Sequence, residues 1–444
     1  MTKKPIYKIR NTAIYNFLKL QQDPIAFFDQ LTKESRYQVC TFKGLKGNLY
    51  MVSDPELIRK ILLKSGKEFL KEPDANKALA RVGGYSILNS EGEQWKRNRK
   101  ILQPAFHWKY LEKLFDNLYA VAEEGVAHLL QQKGKRINIA TEMTAITFKA
   151  VLRVLYSTDI HMSAKELQQV FATSLEQVTK ILFNPFYDLT GFFTGDHQKL
   201  QKSNKTIHTL VDQLIQERMA YEGDPKYDLL EMMMNSRYED NGEKMSREQL
   251  RNETITMFFA GHDTTANTLS WAFYYLGKHP DVYQQIKEEV RKVWGEEPPS
   301  FEKVRQLTYT QQVVEETMRL SSAVPFINRL SQGAEVEGYH FPKGERVLLS
   351  IYHMHRNPEI WEDPEVFNPE RFSPEKVKER PVSHFMPFGA GPRMCIGNHF
   401  AMLEAVLLLG MLARTFDFEL LSEKVGSELI VTHKPKGGVW VKLY

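Results

Sequence analysis

A mainly α-helical fold with a small β lobe is predicted by three observations on this 444-residue sequence. Apolar residues recur at helical spacing over long segments, at 11–30, 55–64, 91–102, 108–132, 164–182, 200–220, 246–278, 280–294, 309–320 and 396–416. Short stretches of strand character flank that block, at 39–42 and 49–52 early and at 334–337, 346–351 and 429–431 late, which predicts a small sheet tying the two ends together. The connectors 223–227, 238–244 and 296–300 are too short to be domain linkers, and no internal repeat is visible. The expectation is one domain over 1–444, β-rich near 35–55 and 330–355 and in its C-terminal strands, α-rich at about 90–325 and 396–416.

Composition narrows the function classes. There are two cysteines, Cys40 and Cys395, too few for a disulfide scaffold, a four-thiolate zinc site or an iron–sulfur cluster of the usual kind. A net charge of +4 on this length of chain gives no reason to expect a nucleic-acid partner. With 26 Phe, 19 Tyr and 6 Trp the chain has ample apolar surface for an extensive core.

Taken in order, residues 1–24 scatter Lys3, Lys4, Lys8 and Arg10 among apolar residues, which reads as neither a signal peptide nor a transmembrane anchor. No other apolar run approaches the roughly 20 residues a bilayer requires. The expected setting is the cytoplasm, where the two cysteines do not pair. Cys40 falls on the first strand and reads as packing. Lys46 and Tyr50, four apart on a predicted strand, would share a face able to hold a carboxylate. Trp95 and Arg99 stand one turn apart in the 91–102 helix, within the basic run Lys96, Arg97, Arg99 and Lys100, a cluster that suits an acidic partner.

The 246–278 segment carries Ala260-Gly261-His262-Asp263-Thr264-Thr265 at its middle. Glycine and threonine are poor residues for an uninterrupted helix, so a local bulge is expected here. His262 reads as a neighbour fixing the helix and Thr265 as packing. Glu316 and Arg319 share one helix face by their spacing, and Pro369-Glu370-Arg371-Phe372 follows. Last comes Phe388-Gly389-Ala390-Gly391-Pro392-Arg393-Met394-Cys395-Ile396-Gly397, directly ahead of a strong helical pattern. A helix start favours the thiolate of a lone cysteine, and glycines let backbone approach something large and flat.

These five elements, in this order, resemble the cytochrome P-450 family. Residues 388–397 match its haem-binding loop Phe-Gly-x-Gly-x-Arg-x-Cys-x-Gly at every fixed position. Glu316 with Arg319 matches the Glu-x-x-Arg of its K helix, 369–372 its Pro-Glu-Arg-Phe element, 260–265 the oxygen-binding stretch of its I helix, and Trp95 with Arg99 its C-helix pair. The resemblance implies a cytochrome P-450 fold, a single haem domain, and haem b (iron protoporphyrin IX) as cofactor. It makes Cys395 the axial iron ligand, a thiolate that promotes O–O cleavage. Phe388 would shield the sulfur from water. Propionate contacts would come from Trp95, Arg99, Arg393 and Arg329, with His355 a further candidate. Ala260 and Gly261 would lie against the haem, Thr264 would hydrogen-bond dioxygen, and Asp263 would connect that threonine to solvent.

The activity implied is insertion of one oxygen atom from O2 into a lipophilic substrate such as a fatty acid, carotenoid or terpenoid. Electrons would come from a separate ferredoxin or flavodoxin with its reductase, since no dinucleotide-binding fingerprint is evident. Phe258, Phe259, Val324, Phe326, Ile327, Tyr85, Ile87 and Leu88 fall where the family lines its pocket, and Phe183, Phe186, Tyr187, Phe192 and Phe193 where it carries a lid. Two other readings remain open: a peroxide-driven peroxygenase, in which the relay of Asp263 and Thr264 would have less use, and a non-catalytic haem-binding sensor or carrier.

Overall fold

The computed structural model describes residues 4–158, 164–184, 186–429 and 431–444. The chain is mainly helical and divides into two compact units, Met1–Lys77 with Met318–Cys395, and Ala78–Thr317 with Ile396–Tyr444.

The first unit is built on a six-stranded sheet in the order Tyr7–Lys8, Val39–Gly44, Gly47–Val52, Arg346–Ser350, Phe326–Ser331, Phe69–Leu70. The hairpin 39–52 is local, but its second strand pairs in parallel with Arg346–Ser350, Leu49 against Arg346 and Val52 against Leu349. Period-2 alternation sorts the side chains. Val39, Val52, Val347 and Leu349 pack with Leu57, Ile58 and Ile61 of the helix Pro55–Leu63, whereas Cys40, Phe42, Met51 and Leu348 pack with Phe27, Phe28 and Leu31 of the helix Pro24–Glu34. Cys40 is thus sealed in a core, and burial pushes its thiol up to about 12. Its reading as a packing residue agrees with this.

The expected sheet joining the two chain ends is corrected in part. The early strands pair with 326–350, while the last strands form their own structures in the second unit. Phe418–Leu420, Trp440–Leu443 and Arg136–Asn138 make a three-stranded sheet, and Gly426–Leu429 pairs locally with His433–Lys436. The strand expected at 429–431 ends at Leu429, and Ile430 lies outside the described residues.

In the second unit the central element is the 32-residue helix Arg247–Lys278, capped by Ser246, whose hydroxyl accepts from Gln249 N–H at 3.1 Å. Ile139–Tyr156 packs along it and is absent from the predicted set. Its reason is physical: the β-branched residues Ile139, Thr141, Thr144, Ile146, Thr147, Val151 and Val154 lower its helix propensity, and beyond Ala150 its polar face narrows to Arg153. The close approach of these two helices depends on Gly261, where a Cβ would meet Val151 Cγ2 at 2.7 Å. The expected single helix at 11–30 is two, Ala13–Gln22 and Pro24–Glu34, because Pro24 cannot continue the first and Asp23 caps the second through Ala26 N–H at 3.0 Å. No helix among the described residues is long and apolar enough to cross a membrane.

Candidate active site

In the first unit the loop leading to Cys395 is shaped by its own backbone. Gly389 and Gly391 take left-handed φ values of 72° and 70°, a short 3-10 turn covers Gly391–Arg393, and Cys395 N–H donates to the Phe388 carbonyl at 3.0 Å. At Gly391 a Cβ would meet the Leu62 carbonyl oxygen at 2.5 Å, so no larger residue fits. Phe388 and Arg393 are half-buried and the Cys395 thiol, in no disulfide, is exposed. The helix that follows begins at Asn398, two residues later than expected.

Behind that loop stands His355, fully buried. Its Nε2 accepts from Met386 N–H at 3.1 Å and its Nδ1 meets Ser322 Oγ at 3.1 Å, and the serine hydroxyl itself donates to Met318 O. A ring that accepts at Nε2 and donates from Nδ1 is neutral. Burial, reinforced by Arg319, Arg356 and Arg380, holds its pKa well below the ordinary histidine value. Both ring nitrogens are used inside the unit, so the reading of His355 as a propionate contact gives way to one as a support for the loop. Arg319, also fully buried, donates to the carbonyls of His355 and Pro364 at 2.8 Å and lies over Trp361. Arg371 donates to the Asp363 carbonyl at 2.9 Å. Arg329 is buried on the strand Phe326–Ser331, its Nε donating to Ser65 Oγ at 3.1 Å.

In the second unit the 260–265 stretch lies in unbroken α-helix. The expected bulge is absent even though the threonines do bond back to the ladder, Thr264 Oγ1 donating to Ala260 O at 2.8 Å and Thr268 Oγ1 to Thr264 O at 3.0 Å. Ala260 is exposed in the middle of an otherwise largely buried helix, and Thr264 and Asp263 are half-buried. Gly261 presents its bare Cα to Val151, which gives the glycine a packing role in place of a bulge for ligands. Asp263 Oδ2 accepts from Asn267 Nδ2 at 3.1 Å and from Thr432 Oγ1. His262 Nδ1 bonds to Phe258 O, and its ring packs against Phe148 and Phe171, which agrees with its reading as a fixing residue; burial lowers its pKa.

Trp95 and Arg99 share one face of the helix Gly92–Leu102, with Arg99 Nε donating to Gln103 Oε1 at 3.1 Å. The basic cluster on this helix is not a bare patch. Lys96 pairs with Glu93 at 2.6 Å, Arg97 with Asp240 and Lys100 with Glu239, acids that are remote in sequence apart from Glu93. Lys46 sits in the hairpin turn, not on a strand, and pairs with Asp74 at 2.7 Å, while Tyr50 is buried against Phe341. That separates the proposed carboxylate-binding pair. Phe258 is fully buried against Tyr156 and Phe148, and Phe326 packs on Phe28, so both are core residues and not pocket lining. Of the expected lid, Tyr187 is buried, Phe186, Phe192 and Phe193 are exposed, and the Phe183 side chain lies outside the described residues.

Sequence reasoning passed over two buried acids. Glu253 on the long helix accepts from Ile87 N–H at 3.0 Å, Asn98 Nδ2 at 2.7 Å and Gln249 Nε2 at 2.8 Å. Burial pushes its carboxyl up to about 7 against the pull of those donors. Glu404 on Asn398–Thr415 is fully buried, with neither oxygen hydrogen-bonded to a described residue, and burial raises its pKa well above the carboxylate range. An acid standing alone among apolar neighbours, as Glu404 does in Met402-Leu403-Glu404-Ala405-Val406, is the one signal the sequence offered.

The first unit carries groups that suit a haem: an exposed soft thiol donor, a glycine backbone that leaves no room for a side chain, and two arginines. This donor set fits a thiolate-ligated porphyrin; no group of three or more His, Cys, Asp or Glu among the described residues could hold a metal ion unaided. The second unit, by itself, presents a small exposed residue at Ala260 and the half-buried pair Trp95 and Arg99.

Comparison with known proteins agrees with that fit. Residues 5–439 match the family described as Cytochrome P450. Human Cytochrome P450 4F3 is 32% identical over 91% of this chain and 82% of its own length. Mouse Leukotriene-B4 omega-hydroxylase 3 is 31% identical over 87% of this chain and 79% of its own. The crystal structure of the cytochrome P450DA heme domain superposes with a TM-score of 0.91 at 25% identity, covering 100% of this chain and 98% of that one.

Proposed function

The chain belongs to the cytochrome P450 family and is a haem-dependent monooxygenase, and on that premise we propose a lipophilic substrate and a role for each site residue. The observation that carries the reading is the Cys395 loop, an exposed thiol presented by a backbone that Gly391 alone permits. Cys395 would hold the iron, Phe388 would shield its sulfur from water, and Arg393, Arg329, Trp95 and Arg99 would pair with the propionates. Ala260 would lie against the cofactor, with Gly261 beside it seating the helix on Val151.

When bound, haem supplies the iron on which O2 is split, one atom entering a C–H or double bond of the substrate and the other leaving as water with two electrons and two protons. The protein's task is to deliver those protons in order. Thr264 Oγ1 exchanges its bond to the Ala260 carbonyl for one to dioxygen. Asp263, held by Asn267 and Thr432, is the carboxylate that resupplies the hydroxyl.

The substrate class we favour is the fatty acids and related lipids, among the fatty acid, carotenoid and terpenoid candidates. The support is a relative named as a leukotriene-B4 omega-hydroxylase. Electrons come from a redox partner, for which we propose a ferredoxin or flavodoxin with its reductase. The ion pairs of Lys96 and Lys100 are exposed and worth about 0–1 kcal/mol each, so an acidic carrier can exchange them.

Reduction under carbon monoxide tests the cofactor assignment: a thiolate-type Soret band is expected, and an imidazole-type band, or no bound haem, refutes it. Thr264→Ala is expected to uncouple electron consumption from product, lowering the yield of product per electron pair by about tenfold. Unchanged coupling would remove that hydroxyl from the relay.

A further inference from the structure

Glu253 joins three pieces of the second unit. The 84–90 loop is closed on itself, with Ser86 N–H donating to Asn89 Oδ1 at 2.8 Å, Asn89 Nδ2 to Gly84 O at 2.9 Å and Ser90 Oγ to Ser86 O at 2.6 Å. Its attachment to the long helix runs through Ile87 N–H, 3.0 Å from both oxygens of Glu253, and through Thr256 Oγ1, which donates to Ser86 Oγ at 2.7 Å. The helix Gly92–Leu102 is attached to the same carboxylate by Asn98, itself fixed by Tyr238 O–H at 3.1 Å. Gln249, one turn before Glu253, donates to that carboxylate and to Tyr85 O, and accepts from Gln94.

The carboxylate is the shared acceptor of Ile87 N–H and Asn98 Nδ2, while Gln249 Nε2 divides itself between it and Tyr85 O. Its Oε1 accepts from Asn98, Gln249 and Ile87, and its Oε2 accepts from Ile87, so it is used purely as an acceptor. A glutamine of the same shape would place its amide N–H2 against a donor. A cluster this completely satisfied and buried holds one arrangement, and with one donor orphaned it does not.

We propose that Glu253 is a positioning residue for the monooxygenase reaction: its carboxylate clamps the 84–90 loop and the Gly92–Leu102 helix to the helix that carries Asp263 and Thr264, and thereby sets substrate affinity. The clamp stands on the hydrogen bonds; its effect on substrate rests on the reading above that Tyr85, Ile87 and Leu88 border a lipid-binding pocket. Glu253 does not touch the reacting atoms in this account. It acts through the loop and through Asn98, which neighbours Arg99 and lies three residues from Trp95.

The test uses the haem-loaded full chain and Glu253→Gln. Amide hydrogen exchange over 84–90 is expected to accelerate by roughly 10- to 100-fold, and the dissociation constant for lauric acid, read from the Soret shift, to weaken by about tenfold, while the thiolate-type Soret band under carbon monoxide persists. Unchanged exchange over 84–90 overturns the clamp. Faster exchange with unchanged lauric acid affinity overturns its role in positioning. Should Glu253→Gln fail to retain haem, Glu253→Asp decides instead: it keeps the charge but withdraws the carboxylate by one methylene from Ile87 N–H, and is expected to accelerate 84–90 exchange by about 3- to 10-fold, and no acceleration there overturns the clamp. If lauric acid shifts no Soret band even in the unaltered protein, the substrate class is wrong, and a comparison of exchange rates still decides the clamp.

Discussion

Two helices of the second unit each bury a carboxyl group, and they meet its cost in opposite ways. Glu253 on Arg247–Lys278 is ringed by a backbone N–H and two side-chain amides; Glu404 on Asn398–Thr415 has only the Thr265 hydroxyl bearing on it, and that hydroxyl is turned to the Gly261 carbonyl at 3.4 Å. Desolvation opposes the charge of both. Donors decide what remains: with three, the carboxyl titrates at about 7 and can carry charge, and with almost none burial holds it well above the carboxylate range. One acid is thus a joint between segments and the other a polar inclusion in the core.

The larger test of that contrast is pH dependence at Glu404. Its pKa in the folded state is raised, so its contribution to stability is fully present below the unfolded carboxyl value and declines as pH rises above it. Each unit above that value costs about 1.4 kcal/mol, which Glu404→Gln abolishes. Denaturant midpoints of the variant should therefore pull ahead of the unaltered protein from pH 5 to pH 8, and parallel curves would show that Glu404 is ionised in the fold. The smaller effect is at Glu253, where the same loss ends near pH 7 because ionisation is reached there. Glu253→Ala takes the acceptor from Ile87 N–H and Asn98 Nδ2 and leaves Gln249 only its bond to Tyr85 O, and is expected to cost about 2 kcal/mol in urea denaturation at pH 8. A neutral or stabilising result would mean that the donors find other acceptors and that the two acids are alike.

Legibility in the sequence followed the same division between local and distant partners. The Cys395 loop is ten consecutive residues whose turn, glycines and thiol are fixed by near neighbours, so its chemistry could be read directly. The long amphipathic helices were equally plain, whereas Ile139–Tyr156, rich in β-branched residues and with its polar face narrowed to Arg153 beyond Ala150, announced itself poorly. Partners distant in sequence left no trace: Lys46 was read with Tyr50 before Asp74 was known to take its ammonium, and Arg97 and Lys100 looked like an unanswered basic face until Asp240 and Glu239 were placed beside them. The Glu253 cluster draws on 87, 98, 249 and 253, a spread no window along the chain contains.

The contact at Gly391 has a consequence for how that position tolerates change. What a side chain there would strike is the Leu62 carbonyl, part of a helix end with no rotamer to surrender. Most crowded sites grade substitutions by bulk, alanine mildest and leucine worst. Here the first carbon beyond Cα already collides, and φ of 70° adds backbone strain for any residue with a Cβ. Residue 391 behaves as a threshold and not a slope: alanine already collides, and the spacing between the Cys395 loop and the helix end at Leu62 is gauged there by main chain against main chain.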